Sequence, residues 1–261
     1  MKNSTFRNLL LLVLLLTAFG CTQTYRIKHP HKTSLTFEVK ELYPGLLEGY
    51  LSASELPNSL ALLPPPPQVG SIAWQLDQEK AAYYVNLNDE ERKQQAVQDA
   101  DLSFPNALMA FNPLLPVKIT EQTTPVTYIM IRRILADAAL STYSAKKNYM
   151  RSRPFMVNNT PTCIPEDEES LRKDGSYPSG HTAIGWAWAL VIAELFPDQA
   201  NEIFQRGKEF GISRNVCNVH WFSDVEAGRT MGAVTMARLH ANNQFLIDLN
   251  AAKKEIQTLQ K

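Results

Sequence analysis

The sequence predicts an all-α fold, a single helical-bundle domain, on three observations. Most of the chain beyond residue 70 carries apolar residues at the three- and four-residue spacing of a buried helix face. No series of alternating apolar and polar residues marks a sheet, and no internal repeat is found. The 261 residues, 44% hydrophobic and 20% charged, can bury one substantial core.

Residues 1–20 read as a signal peptide rather than part of the fold. Lys2 and Arg7 precede the apolar run Leu9–Ala18, which is short for a bilayer span and suits an export signal. A buried N-terminal helix would need a polar face, and the run has none. Ala18 and Gly20 are small residues before a cut at Cys21. "AFGC" is also similar to a lipoprotein processing site, which makes Cys21 a candidate for lipidation. Ala18 stands where leucine is usual and Phe19 is bulky, so this stays open. Without Lys2 and Arg7 the chain carries 24 basic against 26 acidic residues, which offers no electrostatic support for binding nucleic acid.

Residues 21–45 are polar and irregular and read as a tether, leaving residues 46–261 as the domain. "LALLPPPPQVGS" (60–71) lacks the donors of a helix or central strand and is expected to run extended over the surface. Helices are then expected in "SIAWQLDQEKAAYYVNL", in "DEERKQQAVQDADL" and in the long pattern 124–151, with Thr124 as its cap and Pro125 in its first turn. "HTAIGWAWALVIAELF" (181–196) is apolar on most faces and stops before Pro197, as a central buried helix would. It is too short, and carries Glu194, for a membrane span. Three further helical patterns fill the C-terminal third. Such apolar helices could bury their faces within one chain or in a homo-oligomer.

The candidate chemistry lies in three fragments: Lys146 and Arg153-Pro154, Pro178-Ser179-Gly180-His181, and Ser213-Arg214 followed by His220 and Asp224. Each alone has an ordinary reading. Lys146 and Arg153 could be solvated charges on one helix face, and His220 and Asp224 a local helical pair. Together they supply what a tetrahedral oxyanion needs. Arginine forks and a lysine are charge-assisted donors to phosphate oxygens. Free N–H groups at the start of a helix form an anion cradle, and Gly180 permits close approach.

The spacing Lys-x6-Arg-Pro, then Pro-Ser-Gly-His, then Ser-Arg-x5-His-x3-Asp resembles the signature of the type 2 phosphatidic acid phosphatase superfamily, which includes vanadium haloperoxidases. More narrowly, "GSYPSGHT", "SLALLPPPPQVGSIAW", "YMRSRP" and "VCNVHWFSDVEAGR" resemble the bacterial class A non-specific acid phosphatases over about residues 45–255. The resemblance implies a periplasmic, metal-independent phosphatase of broad specificity that needs no cofactor and acts on small phosphate esters. His220 would be the nucleophile, Asp224 its orienting partner and His181 the acid and base. Lys146, Arg153, Ser179, Gly180 and Arg214 would bind the phosphate. Phosphotransfer to alcohols is an implied side activity. A vanadium-dependent haloperoxidase, or a lipid or pyrophosphate phosphatase, is the alternative within the superfamily. The resemblance also implies a Cys163–Cys217 disulfide; the cysteine count alone leaves two free thiols open. One departure stands out. Relatives carry an acidic pair about ten residues before the motif lysine, where this chain has Leu135, Ala136 and the single Asp137.

Overall fold

The computed structural model describes residues 32–261. The expected signal peptide, Cys21 and the first part of the expected tether lie outside the described residues. The remainder is mainly helical, as expected. Strands β1 (Glu41–Tyr43) and β2 (Leu46–Leu47) form a small antiparallel hairpin that pairs Glu41 with Leu47 and Tyr43 with Leu46. Gly45, at φ +82°, makes its turn in a conformation that other residues rarely adopt. The helices are α1 (Ser59–Leu62), α2 (Ile72–Val85), α3 (Glu90–Gln98), α4 (Pro125–Ser141), α5 (Tyr143–Tyr149), α6 (Pro154–Asn158), α7 (Glu168–Leu171), α8 (Gly180–Leu195), α9 (Ala200–Val216), α10 (Phe222–Leu239) and α11 (Asn243–Leu259).

Helix α8 is the axis of the bundle, packed by α9, α10 and α4. Its composition explains this position. Ala183, Ile184, Ala187, Trp188, Ala189, Val191 and Ile192 are all buried, so no broad face is left for water. The Trp188 indole donates to the Ile131 carbonyl of α4 at 3.0 Å, which satisfies its one buried polar atom. Helix α10 approaches the start of α8 through Gly228, where an added Cβ would stand 2.4 Å from the Ser179 carbonyl oxygen. Among the described residues, no helix is long and apolar enough to cross a membrane.

The long pattern 124–151 is two helices. Thr142 breaks it: its hydroxyl donates to the Ala139 carbonyl at 2.6 Å and competes with the helical bond. The chain restarts as α5 and stops at Met150, which adopts a left-handed conformation at φ 41°. Thr124 is not the side-chain cap of α4, because its hydroxyl turns back to the Thr120 carbonyl. Glu255 of α11 caps α4 instead, accepting from the Val126 and Thr127 N–H groups at 3.0 and 2.9 Å.

Residues 34–51 lie against α4 and α11 through buried polar groups. Ser34 N–H and Tyr50 O–H donate to the Asp248 carboxylate at 2.9 and 2.7 Å. The Arg133 guanidinium lies 3.8 Å from the Tyr50 ring centroid and donates to Ser34 Oγ. Asp137, the lone acid of "RRILADAAL", is spent here: its oxygens accept the Tyr50 and Leu51 N–H groups at 2.8 and 3.0 Å. Burial raises its pKa to about 6 against the pull of those two hydrogen bonds.

Candidate active site

Three chain reversals bring the signature residues to one end of α8. The first is "GSYPSGHT". Ser179 is the N-cap of α8, and its Oγ accepts from Thr182 N–H at 3.2 Å and Thr182 O–H at 2.9 Å. Its backbone N–H donates to the Asp224 carbonyl at 2.9 Å, which ties the start of α8 to α10. Gly180 opens the helix beside Lys146: an added Cβ would lie 3.9 Å from Lys146 Cε. His181 follows, with Nε2 3.1 Å from the Ala100 carbonyl oxygen. A carbonyl only accepts, so Nε2 carries the proton and Nδ1 the lone pair of the neutral ring.

The second reversal joins α9 to α10 and carries His220. The Arg214 carbonyl accepts both the Val219 and His220 N–H groups, and Asn215 Nδ2 donates to the His220 carbonyl at 2.9 Å. The His220 ring is buried between two partners. Nε2 lies 3.1 Å from Arg153 Nη1, and Nδ1 lies 3.4 Å from Asp224 Oδ2. A guanidinium only donates, so Nε2 holds a lone pair and Nδ1 a proton directed at Asp224. Asp224 stands in the first turn of α10, where Oδ2 also accepts the Trp221 N–H at 2.8 Å.

The third reversal, from α5 to α6, delivers the cations. Lys146 Nζ donates to the Gly175 carbonyl at 2.7 Å and faces Asp174 at 3.3 Å. Arg153 donates to the Leu171 and Val219 carbonyls at 2.9 and 3.0 Å. Arg214, only 1% exposed, is the exception. Its Nε and Nη1 are buried and find no hydrogen-bond partner among the described residues. Unmade donors of a charged group are costly in a folded protein, and an anion seated between the cations would satisfy them.

The electrostatics follow from this crowding. Burial, then the Arg153 charge, lowers Lys146 to about 8 and Arg214 to about 10. Burial also pushes both histidines well below their ordinary value of 6.5, helped at His181 by Arg214 and at His220 by Arg153, Lys146 and Arg214. The unfolded chain therefore binds more protons at these rings than the folded one just below pH 6.5. The two rings are expected to cost the ligand-free protein stability as pH falls from 6.5 towards the folded-state values, a loss that exceeds the opposing gain from the single raised Asp137. Thermal unfolding between pH 7 and 5 checks the sign; a melting temperature that rises on acidification would contradict it.

Every candidate site residue except the three cysteines thus belongs to one cluster: His220, His181, Asp224, Lys146, Arg153, Ser179, Gly180 and Arg214. Cys163 and Cys217 form a disulfide, as the resemblance implied, with Cα atoms 4.7 Å apart; Cys217 lies between Arg214 and His220 in the chain. Three participants have no signal in the motif. Asp174 neutralises Lys146 and Arg153, the Ala100 carbonyl orients His181, and Arg151 donates to Asp224 at 2.7 Å. Asp174 precedes "GSYPSGHT" directly and Arg151 sits inside "YMRSRP", so adjacency was their available clue. Nothing local marks Ala100. Among the described residues, no three His, Cys, Asp or Glu side chains gather as metal ligands.

The sequence profile of the PAP2 superfamily matches residues 124–247, which span the cluster. A non-specific acid phosphatase of Providencia stuartii is 45% identical over 81% of this chain and 86% of its own length. One from Salmonella typhimurium is 44% identical over 80% and 84%. An acid phosphatase of Zymomonas mobilis is 40% identical over 77% and 76%. A solved structure described as the first bacterial vanadium-dependent iodoperoxidase has a TM-score of 0.47 at 16% identity, over 80% of this chain and 63% of that one. With two-fifths or more of the residues identical over most of both chains, this acid phosphatase belongs to the PAP2 superfamily and, within it, to the bacterial class A non-specific acid phosphatases.

Proposed function

We propose that the enzyme hydrolyses phosphate monoesters of broad range through a phosphohistidine at His220, without a metal ion. The observation that carries this reading is the His220 ring. Its Nε2 lone pair faces Arg153, with the charges of Lys146 and Arg214 also felt at the ring, and its Nδ1 proton faces Asp224. The phosphoryl group enters against Lys146, Arg153 and the unpaired donors of Arg214, with Ser179 and the Gly180 N–H completing the shell at the positive end of α8. His220 Nε2 forms the bond to phosphorus as the ester P–O bond breaks. The proton of His181 passes to the leaving oxygen. Water then attacks the phosphohistidine, gives its proton to His181 and releases phosphate. An alcohol in place of water would give phosphotransfer.

Burial, helped by the Arg214 charge, holds His181 well below its ordinary pKa in the ligand-free protein, yet this step needs it protonated. The substrate eases the conflict, since its dianionic phosphate opposes the Arg214 and Arg153 charges that add to burial in holding the ring neutral. Proton uptake thus accompanies substrate binding, which favours acidic pH. The cluster contacts only the phosphoryl group, so it places little demand on the leaving group. The apolar leader and the disulfide support export to an oxidising compartment such as the periplasm.

Trapping by an alkaline quench with an aryl phosphate, in the presence of a chelator, tests the proposal. An alkali-stable, acid-labile phosphoenzyme at His220 with full turnover is expected. Turnover abolished by the chelator and restored by a divalent ion would overturn it.

A further inference from the structure

Arg151 lies between the motif lysine and the motif arginine, and the mechanism above does not use it. Its guanidinium joins two buried carboxylates. Nη1 donates to Asp224 Oδ1 and Nη2 to Asp77 Oδ2, both at 2.7 Å. Asp77 is fully buried on α2, far from Asp224 in sequence. It also accepts the Ser223 N–H at 2.8 Å and the Ser223 hydroxyl at 2.6 Å, while Arg151 Nη1 donates to Ser223 Oγ at 2.8 Å. The guanidinium lies 5.3 Å from the Trp221 ring centroid, which closes its remaining face. The start of α10, from Trp221 to Asp224, is thus gripped on one side by α2 and on the other by the chain just before α6.

We propose that Arg151 and Asp77 are positioning residues for the nucleophile, locking the Asp224 carboxylate in the orientation that meets the His220 ring. The geometry leaves Asp224 one orientation. Oδ1 is taken by Arg151, and Oδ2 is shared between the Trp221 N–H and His220 Nδ1, so rotation of the carboxylate breaks several bonds at once. The His220 contact, at 3.4 Å, is the loosest of the three and depends most on the others holding. Asp77 gives Arg151 a second anchor. Without it the guanidinium could follow Asp224 rather than fix it. A lysine could supply the charge but not the fork that spans two carboxylates.

This inference rests on His220 as nucleophile, and its test separates the two. Rapid-quench measurement of phosphohistidine formation from an aryl phosphate is made on the wild type, R151Q, R151K and D77N, beside inhibition by inorganic phosphate and thermal unfolding. Phosphorylation in R151Q is expected to slow by about 10- to 100-fold, with phosphate inhibition changed little, because Lys146, Arg153 and Arg214 are untouched. R151K should not rescue the rate, and D77N should share the defect. Since R151Q leaves two buried carboxylates without their shared cation and could fail to fold, D77N and S223A keep the test open. Phosphorylation at the wild-type rate in a folded D77N or R151Q variant would overturn the proposal. So would a loss that runs parallel with phosphate affinity and melting temperature, the mark of a structural role only. If the wild type itself forms no phosphohistidine, the nucleophile assignment fails instead.

Discussion

Replacing His220 with alanine is expected to abolish the phosphoenzyme and lower kcat by about 10⁴-fold or more. The size follows from the cluster having one group suited to attack. His220 Nε2 carries a lone pair and lies against Arg153, among the cations that would hold the phosphoryl group. His181 is tied through Nε2 to the Ala100 carbonyl, and the proposed mechanism gives it the proton transfers instead. The alanine variant keeps Lys146, Arg153 and Arg214, so inorganic phosphate should still bind. It should bind at least as well, because the Arg153 Nη1 hydrogen that met the ring becomes free while the other stays on the Val219 carbonyl. Loss of turnover with phosphate binding retained separates a missing nucleophile from a collapsed site. A folded His220→Ala enzyme that still trapped a phosphoenzyme at near-normal turnover would end the assignment. The ring's contribution to folding bears on the control. Because burial holds it neutral, its removal costs packing rather than an ion pair, and thermal unfolding at pH 7 would register that cost separately.

The chemistry was more legible in the sequence than the architecture that supports it. Lys146, Arg153, Ser179, Gly180, His181, Arg214, His220 and Asp224 are the residue types an oxyanion requires, at spacings that local turns bring together. The central helix was legible too, since "AIGWAWALVIA" leaves no face for water. What stayed hidden depends on distant contacts. Glu255 caps α4 across more than a hundred residues, and no local pattern announces it. Thr124 has the right type and position for a cap, but Thr120 offers its hydroxyl a competing partner. The break at Thr142 arises the same way, from a side chain that bonds its own backbone in an otherwise continuous helical pattern. Asp77 looks like a surface residue of an amphipathic helix until α10 folds against it.

Loss of the Cys163–Cys217 disulfide, by reduction or by the double alanine variant, is expected to cost about 4 kcal/mol of stability. The bond spans 54 residues, and closing a loop of that length in the unfolded chain accounts for the figure. For a domain of this size the melting temperature should fall by roughly 10 °C. The enclosed segment holds "GSYPSGHT" and the whole of α8 and α9, so the constraint acts on the chain that builds the site. Activity well below the melting temperature should nevertheless persist. The neighbourhood of Cys217 is held independently: Phe155 N–H donates to the Asn218 carbonyl at 3.1 Å, and the Asn158 and Asn218 side chains pair at 2.9 Å. Arg153 still clasps the Val219 carbonyl, and Asn215 that of His220. The disulfide therefore restrains the unfolded chain more than it aims the nucleophile. A variant that melts like the wild type would show that the open loop is already restricted. A folded variant whose kcat collapsed at low temperature would show that the bond positions Arg214 and His220 after all.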